Sequence, residues 1–284
     1  MSARVAVCVP AFDVMHYLGA TIDSVMSQTL TDWELVIVDD ASNDETAEIA
    51  EKYAALDERI TVLHNERNLG AAANWNRAVA ATTATLVKVL CGDDLLYPNC
   101  LETQVVAFEN DTTGRLVMAA SKRDIIGVDG QLIVASRGLA GLAGTVSGPE
   151  ALQRCARAGT NIFGEPSQVL LRRTALEEAG GFDPRWRYML DVECYRRILR
   201  HGDLAAIPET LGAFRYRPDG WSARLAHQQA KEARALLREL RAESGGAIGP
   251  LDIALGSARA GCWQLARRVV LARIGRAERR ATRA

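Results

Sequence analysis

Residues 36–46 read VIVDDASNDET and join a strand-like apolar run to the start of a helical pattern. Ser42 and Asn43 suit this junction, because their side-chain oxygens can accept hydrogen bonds from the free amides of a first helical turn. Asp39 and Asp40 need a different explanation, since adjacent carboxylates at a strand end repel each other. We therefore expect a cationic or hydrogen-bonding group, supplied from elsewhere, to offset this pair.

The first 110 residues alternate short apolar runs with segments of helical spacing. Strands that alternate with helices of this length imply right-handed crossovers and a mostly parallel sheet with helices on both faces. The predicted fold class is α/β, a three-layer α/β/α sandwich. Ligands of such sheets bind outside the carboxyl ends of the strands. The Asp39–Asp40 and Asp93–Asp94 pairs both fall at such ends, so we expect them to face one crevice.

The pattern changes after residue 110. A Val-Asp-Gly turn at 128–130 between apolar runs indicates a hairpin. The Gly-rich segment 138–144 does not join a first strand to a helix, so it is no dinucleotide fingerprint, and we expect a mobile surface or lid loop there. A long helix is predicted from about residue 224 to 243, followed by a segment of linker composition at 244–250.

Length and composition describe a globular chain, with 284 residues and 48% hydrophobic side chains. A net charge of −1 gives no long-range attraction to nucleic acid, and no such partner is expected. Six cysteines without a CxxC pair favour free thiols in a reducing compartment. Neither a signal peptide nor an apolar run of roughly 18–20 residues is recognisable. We therefore expect a cytoplasmic protein.

The charge is unevenly distributed. Residues 251–284 carry eight arginines against Asp252 and Glu278, whereas the rest of the chain carries 26 basic and 33 acidic side chains. The arginines flank apolar residues at roughly helical spacing. Such a segment can attach peripherally to the inner face of an anionic membrane. The alternative is that it packs on the catalytic domain or forms a homodimer.

A second acidic pair lies in CGDDLLYP, residues 91–98, after the apolar run TLVKVL. A hard divalent cation with a diphosphate would neutralise it, because Mg²⁺ or Mn²⁺ typically binds one or two carboxylates together with substrate phosphates. The alternative is a helix N-terminus opened by Pro98, with the acids near the helix dipole. The residues alone leave both interpretations open. The P-loop, HExxH and GxSxG motifs are absent.

Six segments are informative as a set: VPAFD (9–13), SVMSQTLTDWELVIVDDASNDET (24–46), NLGAAANWNRAV (68–79), CGDDLLYP (91–98), GGFDP (180–184) and LDVECYRRILRHG (190–202). In this order they resemble the inverting glycosyltransferases of family 2, which have the GT-A fold. The resemblance covers roughly residues 4–220. It implies a GT-A catalytic domain at 1–220, with a nucleotide-sugar-binding half at 1–110 and an acceptor half at 111–220. A C-terminal helical extension would follow at 221–284.

The resemblance also implies a nucleotide-diphosphate sugar donor across the carboxyl ends of the strands. Pro10, Ala11 and Asp13 would line the base and ribose side. Asp40 would accept a hydrogen bond from the base, while Asp39 would contact the donor or only order the loop. The bound donor would then offset the repulsion between Asp39 and Asp40.

The remaining donor contacts follow from the same resemblance. Arg67 is a candidate partner for the base or the phosphates, Asp93 would face the ribose, and Asp94 would bind a divalent cation, Mg²⁺ or Mn²⁺. The sequence departs from the family at two of these places. The first acid of the common D-x-D-D motif is Cys91 here, and Arg217 stands about where a His often supplies a further metal ligand.

The segment 190–202 supplies the candidate general base. Inversion needs in-line attack by the acceptor oxygen, and a carboxylate on the acceptor side must take its proton. Asp191 matches the family's base position. Without the resemblance it would be interpreted as an acid at a helix N-terminus, paired with Arg197. Glu193 is the fallback base, although two residues along a helix point in different directions.

The sequence as a whole favours metal-assisted transfer of a single sugar with inversion, because the Gln-x-x-Arg-Trp signature of processive members is absent. The alternative is a catalytically weak nucleotide-sugar-binding protein of the same fold. A nucleotidyltransferase would need a Gly-rich phosphate loop with Arg and Lys after the first strand, and VPAFDVMHYL has none. The acceptor stays open among a glycan, a lipid-linked glycan and a small molecule.

Overall fold

A computed structural model describes residues 3–226 and 228–261. Its strands are β1 (Val5–Ala11), β2 (Trp33–Asp39), β3 (Ile60–His64), β4 (Leu86–Val89), β5 (Leu95–Leu96), β6 (Leu116–Ile126), β7 (Leu132–Arg137), β8 (Gly144–Val146), β9 (Val169–Arg172) and β10 (Asp203–Arg215). Its helices are α1 (Leu18–Met26), α2 (Thr46–Ala54), α3 (Ala71–Ala80), α4 (Cys100–Glu109), α5 (Gly148–Ala158), α6 (Arg173–Glu178), α7 (Leu190–Ile198), α8 (Trp221–Arg224) and α9 (Gln229–Glu243). A further helix starts at Pro250 and is described to residue 261.

The predicted alternation of strands and helices is confirmed in the N-terminal half. The strands β3, β2, β1 and β4 lie side by side and pair in parallel. The core strands β1 and β2 are almost entirely buried, as expected for strands covered on both faces. Ala11 lies opposite Asp39, which in turn lies opposite His64, so these strand ends meet at one edge of the sheet.

The second half makes the sheet mixed. Strand β9 pairs antiparallel with β4 and β6, and β10 pairs in parallel with β6. The hairpin predicted at 128–130 is confirmed by the antiparallel β6–β7 pair. The segment 138–144, expected to be a mobile surface or lid loop, lies largely at the surface but is anchored to the core. Leu139 is fully buried and its amide donates to the carbonyl oxygen of Ile162 at 2.6 Å, while β8 pairs with β10.

Two apolar clusters cover the two faces of the sheet. One contains buried side chains of α1, α2 and α4, and the other contains those of α3, α5, α6, α7 and α9. This distribution confirms the three-layer α/β/α arrangement. The buried face of α9, which comprises Ala233, Leu236, Leu237 and Leu240, belongs to the same cluster as α7.

The region after residue 220 packs on the catalytic domain as far as it is described. The helix predicted from about residue 224 to 243 is present as α9, which starts at Gln229 and follows the short helix α8. The helix of residues 250–261 lies against α5, where a Cβ on Gly256 would come within 2.0 Å of the Ala156 carbonyl oxygen. Arg157 on α5 forms an ion pair with Asp252. Most of the predicted basic segment, residues 262–284, lies outside the described residues.

Candidate active site

Two loops at the carboxyl edge of the sheet hold each other in place. The Asp13 amide donates to Ser42 Oγ at 3.1 Å, and the Asn43 amide donates to Asp13 Oδ1 at 2.8 Å. Asp13 and Ala41 both adopt positive φ, 49° and 58°, a strained conformation for residues with a Cβ.

The sequence suggested Ser42 or Asn43 as the cap of α2. The helix instead starts at Thr46, whose amide donates to Asp44 Oδ1 at 3.0 Å.

The acidic pair at the end of β2 is neutralised largely by the protein itself. Asp40 Oδ1 accepts hydrogen bonds from Asn65 Nδ2 at 2.6 Å and from the Leu69 amide at 2.8 Å, and its Oδ2 accepts from the Gly70 amide at 2.9 Å. Asp39 accepts from the Ser42 amide at 3.3 Å. Backbone and side-chain amides therefore offset both charges, and Asp40 fixes the loop that leads into α3.

The other predicted donor residues surround this loop system. Ala11 is buried at the end of β1, where its carbonyl oxygen accepts from the Asp40 amide at 2.9 Å. Pro10 is half-buried, and its carbonyl lies next to Gly92. Arg67 is exposed on the loop that Asp40 orders. Pro10 and Ala11 therefore lie at the carboxyl edge of the sheet, and Arg67 lies on a loop fixed at that edge.

The second acidic pair divides into an enclosed and an accessible carboxylate. Asp94 is fully buried, with Oδ1 accepting from the Arg215 amide at 2.9 Å and Oδ2 accepting from the Ser167 hydroxyl. Asp93 keeps 21% of its side chain exposed and forms a 3.2 Å ion pair with Arg217. Burial raises the pKa of both carboxyls, and repulsion from Asp93 raises the pKa of Asp94 further.

Two arginines and a tyrosine complete this end of the site. Arg215 donates from Nε to the Asp93 carbonyl oxygen at 2.9 Å. Arg217 also pairs with Asp219 at 3.0 Å, and both guanidinium groups lie about 5 Å from the centre of the Tyr17 ring, at 5.0 and 4.8 Å. Arg217 therefore brings a fixed positive charge to Asp93, where the resemblance would allow a histidine.

The acidic pair suits a hard cation, although the protein supplies few ligands. Within residues 3–226 and 228–261, no group of three or more His, Cys, Asp or Glu side chains is placed to hold a metal ion. Mg²⁺ and Mn²⁺ need only one or two carboxylates when substrate phosphates supply the rest. A divalent ion would also relieve the charge repulsion that raises the pKa of Asp94. Asp93 is the member of the pair with an exposed carboxylate.

Asp191, the predicted base, lies at the start of α7 in the wall of the same pocket as Asp93 and Asp94. Its Oδ1 accepts from the Val192 amide at 2.8 Å and its Oδ2 accepts from Asn161 Nδ2 at 2.8 Å. Burial, with a smaller contribution from the nearby Glu165 carboxylate, raises the pKa of Asp191 to about 7. A carboxylate with this pKa can exchange a proton near neutral pH.

Glu193, the fallback base, points into a buried ion-pair cluster. Its carboxylate contacts Arg196 at 2.9 Å and Arg197 at 2.7 Å, and its side chain is 2% exposed. Arg197 was the expected partner of Asp191 if Asp191 were merely structural, but it pairs with Glu193 instead. The two acids of this helix therefore have different surroundings, and only Asp191 faces the pocket.

Three features of the pocket, whose volume is about 380 Å³, were not found from the sequence. Asn161 fixes the Asp191 carboxylate from a loop thirty residues earlier in the chain. Arg123, buried on β6, pairs with Glu165 at 2.5 Å. Trp75 on α3 meets Trp221 edge-on, with ring centroids 6.4 Å apart. Asn161, Arg123, Glu165 and Trp221 lie outside the six motif segments, and Trp75 lies within segment 68–79 without a role assigned from the sequence. Elements far apart in the chain bring these residues together.

Comparison with known proteins identifies the family. The profile of Glycosyl transferase family 2 matches residues 6–180. The chain is 29% identical over 225 residues to the uncharacterized protein MT1568 of Mycobacterium tuberculosis, covering 75% of this chain and 67% of that protein. It is 35% identical over 101 residues to an Escherichia coli enzyme, the UDP-Glc:alpha-D-GlcNAc-diphosphoundecaprenol beta-1,3-glucosyltransferase WfgD, covering 36% and 39% of the two chains.

Solved structures show the same fold at low sequence identity. The S. aureus TarS fragment 1-349 in complex with UDP superimposes with a TM-score of 0.65 at 17% identity, over 85% of this chain and 66% of that one. The Pyrobaculum calidifontis mannosyltransferase PcManGT, in complex with GDP-Man and Mn²⁺, gives a TM-score of 0.61 at 17% identity, over 98% and 80%. Because the family profile matches more than half of its length, the chain belongs to glycosyl transferase family 2 and is a glycosyltransferase with the GT-A fold.

Proposed function

We propose that the protein transfers one sugar from a nucleotide-diphosphate sugar to an acceptor hydroxyl, with inversion at the anomeric carbon and Asp191 as general base. The observation that carries the proposal is the pocket itself. Asp191 and the Asp93–Asp94 pair line one cavity, and the pKa of Asp191 is about 7. An acid–base group and a cation-compatible acidic pair are the two parts that this reaction needs.

The donor nucleotide occupies the crevice at the carboxyl ends of β1 and β2. Pro10, Ala11 and Asp13 flank its base and ribose, as the family resemblance implies, and Arg67 is exposed on the loop that Asp40 orders. Asp39 and Asp40 shape this crevice by fixing its loops, and either carboxylate keeps lone pairs for a base or a ribose hydroxyl. Solved relatives that carry UDP or GDP-Man support a nucleotide donor of this kind.

The diphosphate lies beside the second acidic pair. A divalent cation held there would neutralise the leaving diphosphate. Asp94, the ligand expected from the resemblance, is fully buried with both oxygens bonded, whereas the Asp93 side chain is 21% exposed, so Asp93 is the better placed of the two to meet the ion. Arg217, paired with Asp93, adds positive charge on the same side.

Asp191 completes the transfer on the acceptor side. The acceptor oxygen forms its bond to the anomeric carbon as the bond from that carbon to the diphosphate oxygen breaks. The hydroxyl proton passes to Asp191, and the nucleoside diphosphate leaves with the electron pair. Asn161 and the Val192 amide hold the Asp191 carboxylate in one orientation, which keeps its reactive lone pairs aligned during the step.

The test combines donor binding with product analysis. UDP-, GDP- and dTDP-sugars are screened by thermal shift with and without Mn²⁺, because a ligand that binds the native state stabilises it. The donor that binds is then assayed for transfer and for slow hydrolysis. Nuclear magnetic resonance of the product should show the anomeric configuration opposite to that of the donor. Retention of configuration, or binding without any transfer or hydrolysis, would refute the proposed reaction.

Of the three acceptor classes that the sequence leaves open, we propose a lipid-linked glycan at a membrane surface. The E. coli relative is named for a glucosyl transfer onto a diphosphoundecaprenol-linked sugar. Leu251 and Leu255 are exposed on the helix of residues 250–261, next to Arg259, so the described start of the basic segment has an apolar and cationic outer face. In the described part of the chain, no helix has the length and apolar character required to span a bilayer.

A further inference from the structure

A carboxylate from α9 binds the backbone immediately before the catalytic helix. Glu232 Oε2 accepts hydrogen bonds from the amides of Arg187, Tyr188 and Met189 at 3.2, 2.8 and 2.9 Å. These three residues lead directly into α7, which starts at Leu190. A single side chain of α9 therefore accepts hydrogen bonds from three consecutive backbone amides.

This contact supplies what α7 lacks locally. The cap residue Met189 provides no side-chain hydrogen bond, and its own amide, one of the free donors at a helix start, is bound by Glu232 together with the two amides before it. A carboxylate is also electrostatically favoured at this end of a helix. Since the acceptor comes from a residue more than forty positions later, the orientation of the α7 start depends on the placement of α9.

The base lies two residues beyond this contact. Asp191 is the second residue of α7, and its own Oδ1 accepts from the Val192 amide, so its carboxylate moves with the first turn of the helix. Tyr188 and Met189, whose amides Glu232 binds, line the same pocket as Asp191. Releasing these amides would therefore shift the base relative to the acceptor oxygen.

The far end of α7 is anchored to α9 separately. Arg196 on α7 pairs with Glu239 at 2.8 Å and also with Glu243. These contacts join the same two helices but lie beyond the turn that carries Asp191. They provide a matched control, because Glu239→Gln removes one negative charge from α9 and one contact to α7 without touching the 187–189 segment.

We propose that Glu232 is a positioning residue that sets the direction of the general base. The inference rests on the proposed role of Asp191. Since a displacement of about 1 Å can cost on the order of 10²-fold in rate, Glu232→Ala should lower kcat about 10- to 100-fold. The KM and Kd for the donor should stay within about twofold, because the proposed diphosphate contacts, Asp93 and Arg217, come from elements that Glu232 does not touch. Glu232→Gln, which keeps one acceptor oxygen, should fall between parent and alanine variant.

The experiment compares Glu232→Ala, Glu232→Gln, Glu239→Gln and Asp191→Asn in the full-length chain. Kinetics are measured together with donor Kd, Tm and hydrogen exchange of the 187–189 amides. We expect faster exchange of these amides and a lower kcat in both Glu232 variants. Glu239→Gln should lower Tm comparably while leaving kcat and that exchange unchanged.

The outcomes distinguish the positioning role of Glu232 from the general-base role of Asp191. Exchange of the 187–189 amides at the parental rate in Glu232→Ala would overturn the inference whatever the role of Asp191. Parental kcat in Glu232→Ala alongside an inactive Asp191→Asn would also overturn it, while leaving the base assignment in place. An active Asp191→Asn would refute the base assignment, and the positioning role would fall with it. If Glu232→Ala does not fold, the milder Glu232→Gln gives the same readouts.

Discussion

The pH dependence of transfer is the sharpest test of the Asp191 assignment. The pKa of this carboxyl is raised from 3.8 to about 7, mainly by burial. A base with this pKa is about half ionised at pH 7 and only about one hundredth ionised at pH 5. We therefore expect kcat/KM to fall about tenfold per pH unit below pH 7 and to level off above it. Asp191→Asn, which cannot take the proton, should lower kcat by about 10²–10⁴-fold at pH 8.

The same raised pKa predicts an effect on stability that does not depend on catalysis. Between about pH 4 and pH 7 the native state keeps the Asp191 proton while the unfolded chain has lost it. The contribution of Asp191 to the free energy of unfolding is therefore most favourable at low pH. It decreases by up to about 4 kcal/mol in total as the pH rises through that window. The asparagine does not titrate, so its stability relative to the parent should rise from pH 4 to pH 8.

The activity assay measures product formation at saturating donor. Unfolding of the parent protein and of Asp191→Asn is followed by denaturant titration at each pH. The comparison with Asp191→Asn cancels the other buried carboxyls, Asp93 and Asp94, whose pKa values are also raised. A flat rate profile between pH 5 and pH 8 would contradict the assignment. So would a stability difference between the two proteins that does not change with pH. Transfer by Asp191→Asn within a few-fold of the parent would remove Asp191 from the mechanism altogether.

Other predictions concern the donor and the basic segment. Asp93→Ala should abolish Mn²⁺-dependent donor binding by calorimetry, whereas Cys91→Ala should change it little, because a thiol is a poor ligand for a hard ion; unchanged binding by the Asp93 variant would refute the cation site. Arg217→Gln should raise the donor Kd with Mn²⁺ absent more than with it present, and equal effects would contradict a charge-neutralising role. A chain ending at Gly249 should pellet less with anionic vesicles at low salt than the full chain, since each basic group contributes on the order of 1 kcal/mol; equal pelleting would refute membrane attachment.

Sequence reasoning located the strand ends because their signal is local. Apolar runs followed by acids mark the carboxyl ends of buried strands, and parallel pairing brings those ends to one edge. The groups that offset the charges of Asp39 and Asp40 could not be predicted from the sequence in the same way. Asp40 is satisfied by the amides of Leu69 and Gly70, about thirty residues away, and amides carry no sequence signature. The ligand explanation for this pair is therefore no longer needed for stability, although it remains compatible with donor binding.

The choice between Asp191 and Glu193 shows a similar limit. Their two-residue spacing on a helix predicts different directions, and that prediction is correct. The sequence could not specify which direction leads to the pocket, and it paired Arg197 with the wrong acid. The deciding partners, Asn161 for Asp191 and the arginine pair for Glu193, come from a distant loop and from the next turn of the helix.

The domain boundary expected at residue 220 shows the same limit of prediction from sequence. Motif resemblance ends near that point, so the following helices looked like an appendage. The apolar face of α9 nevertheless packs into the core that contains α7, and Glu232 and Glu239 bind the two ends of α7. Since α9 holds at both ends the helix that carries the proposed base, removing α9 should loosen the site. We therefore propose that the catalytic unit extends to the end of α9, and that a chain ending at residue 220 would lose transfer even if it still bound the donor.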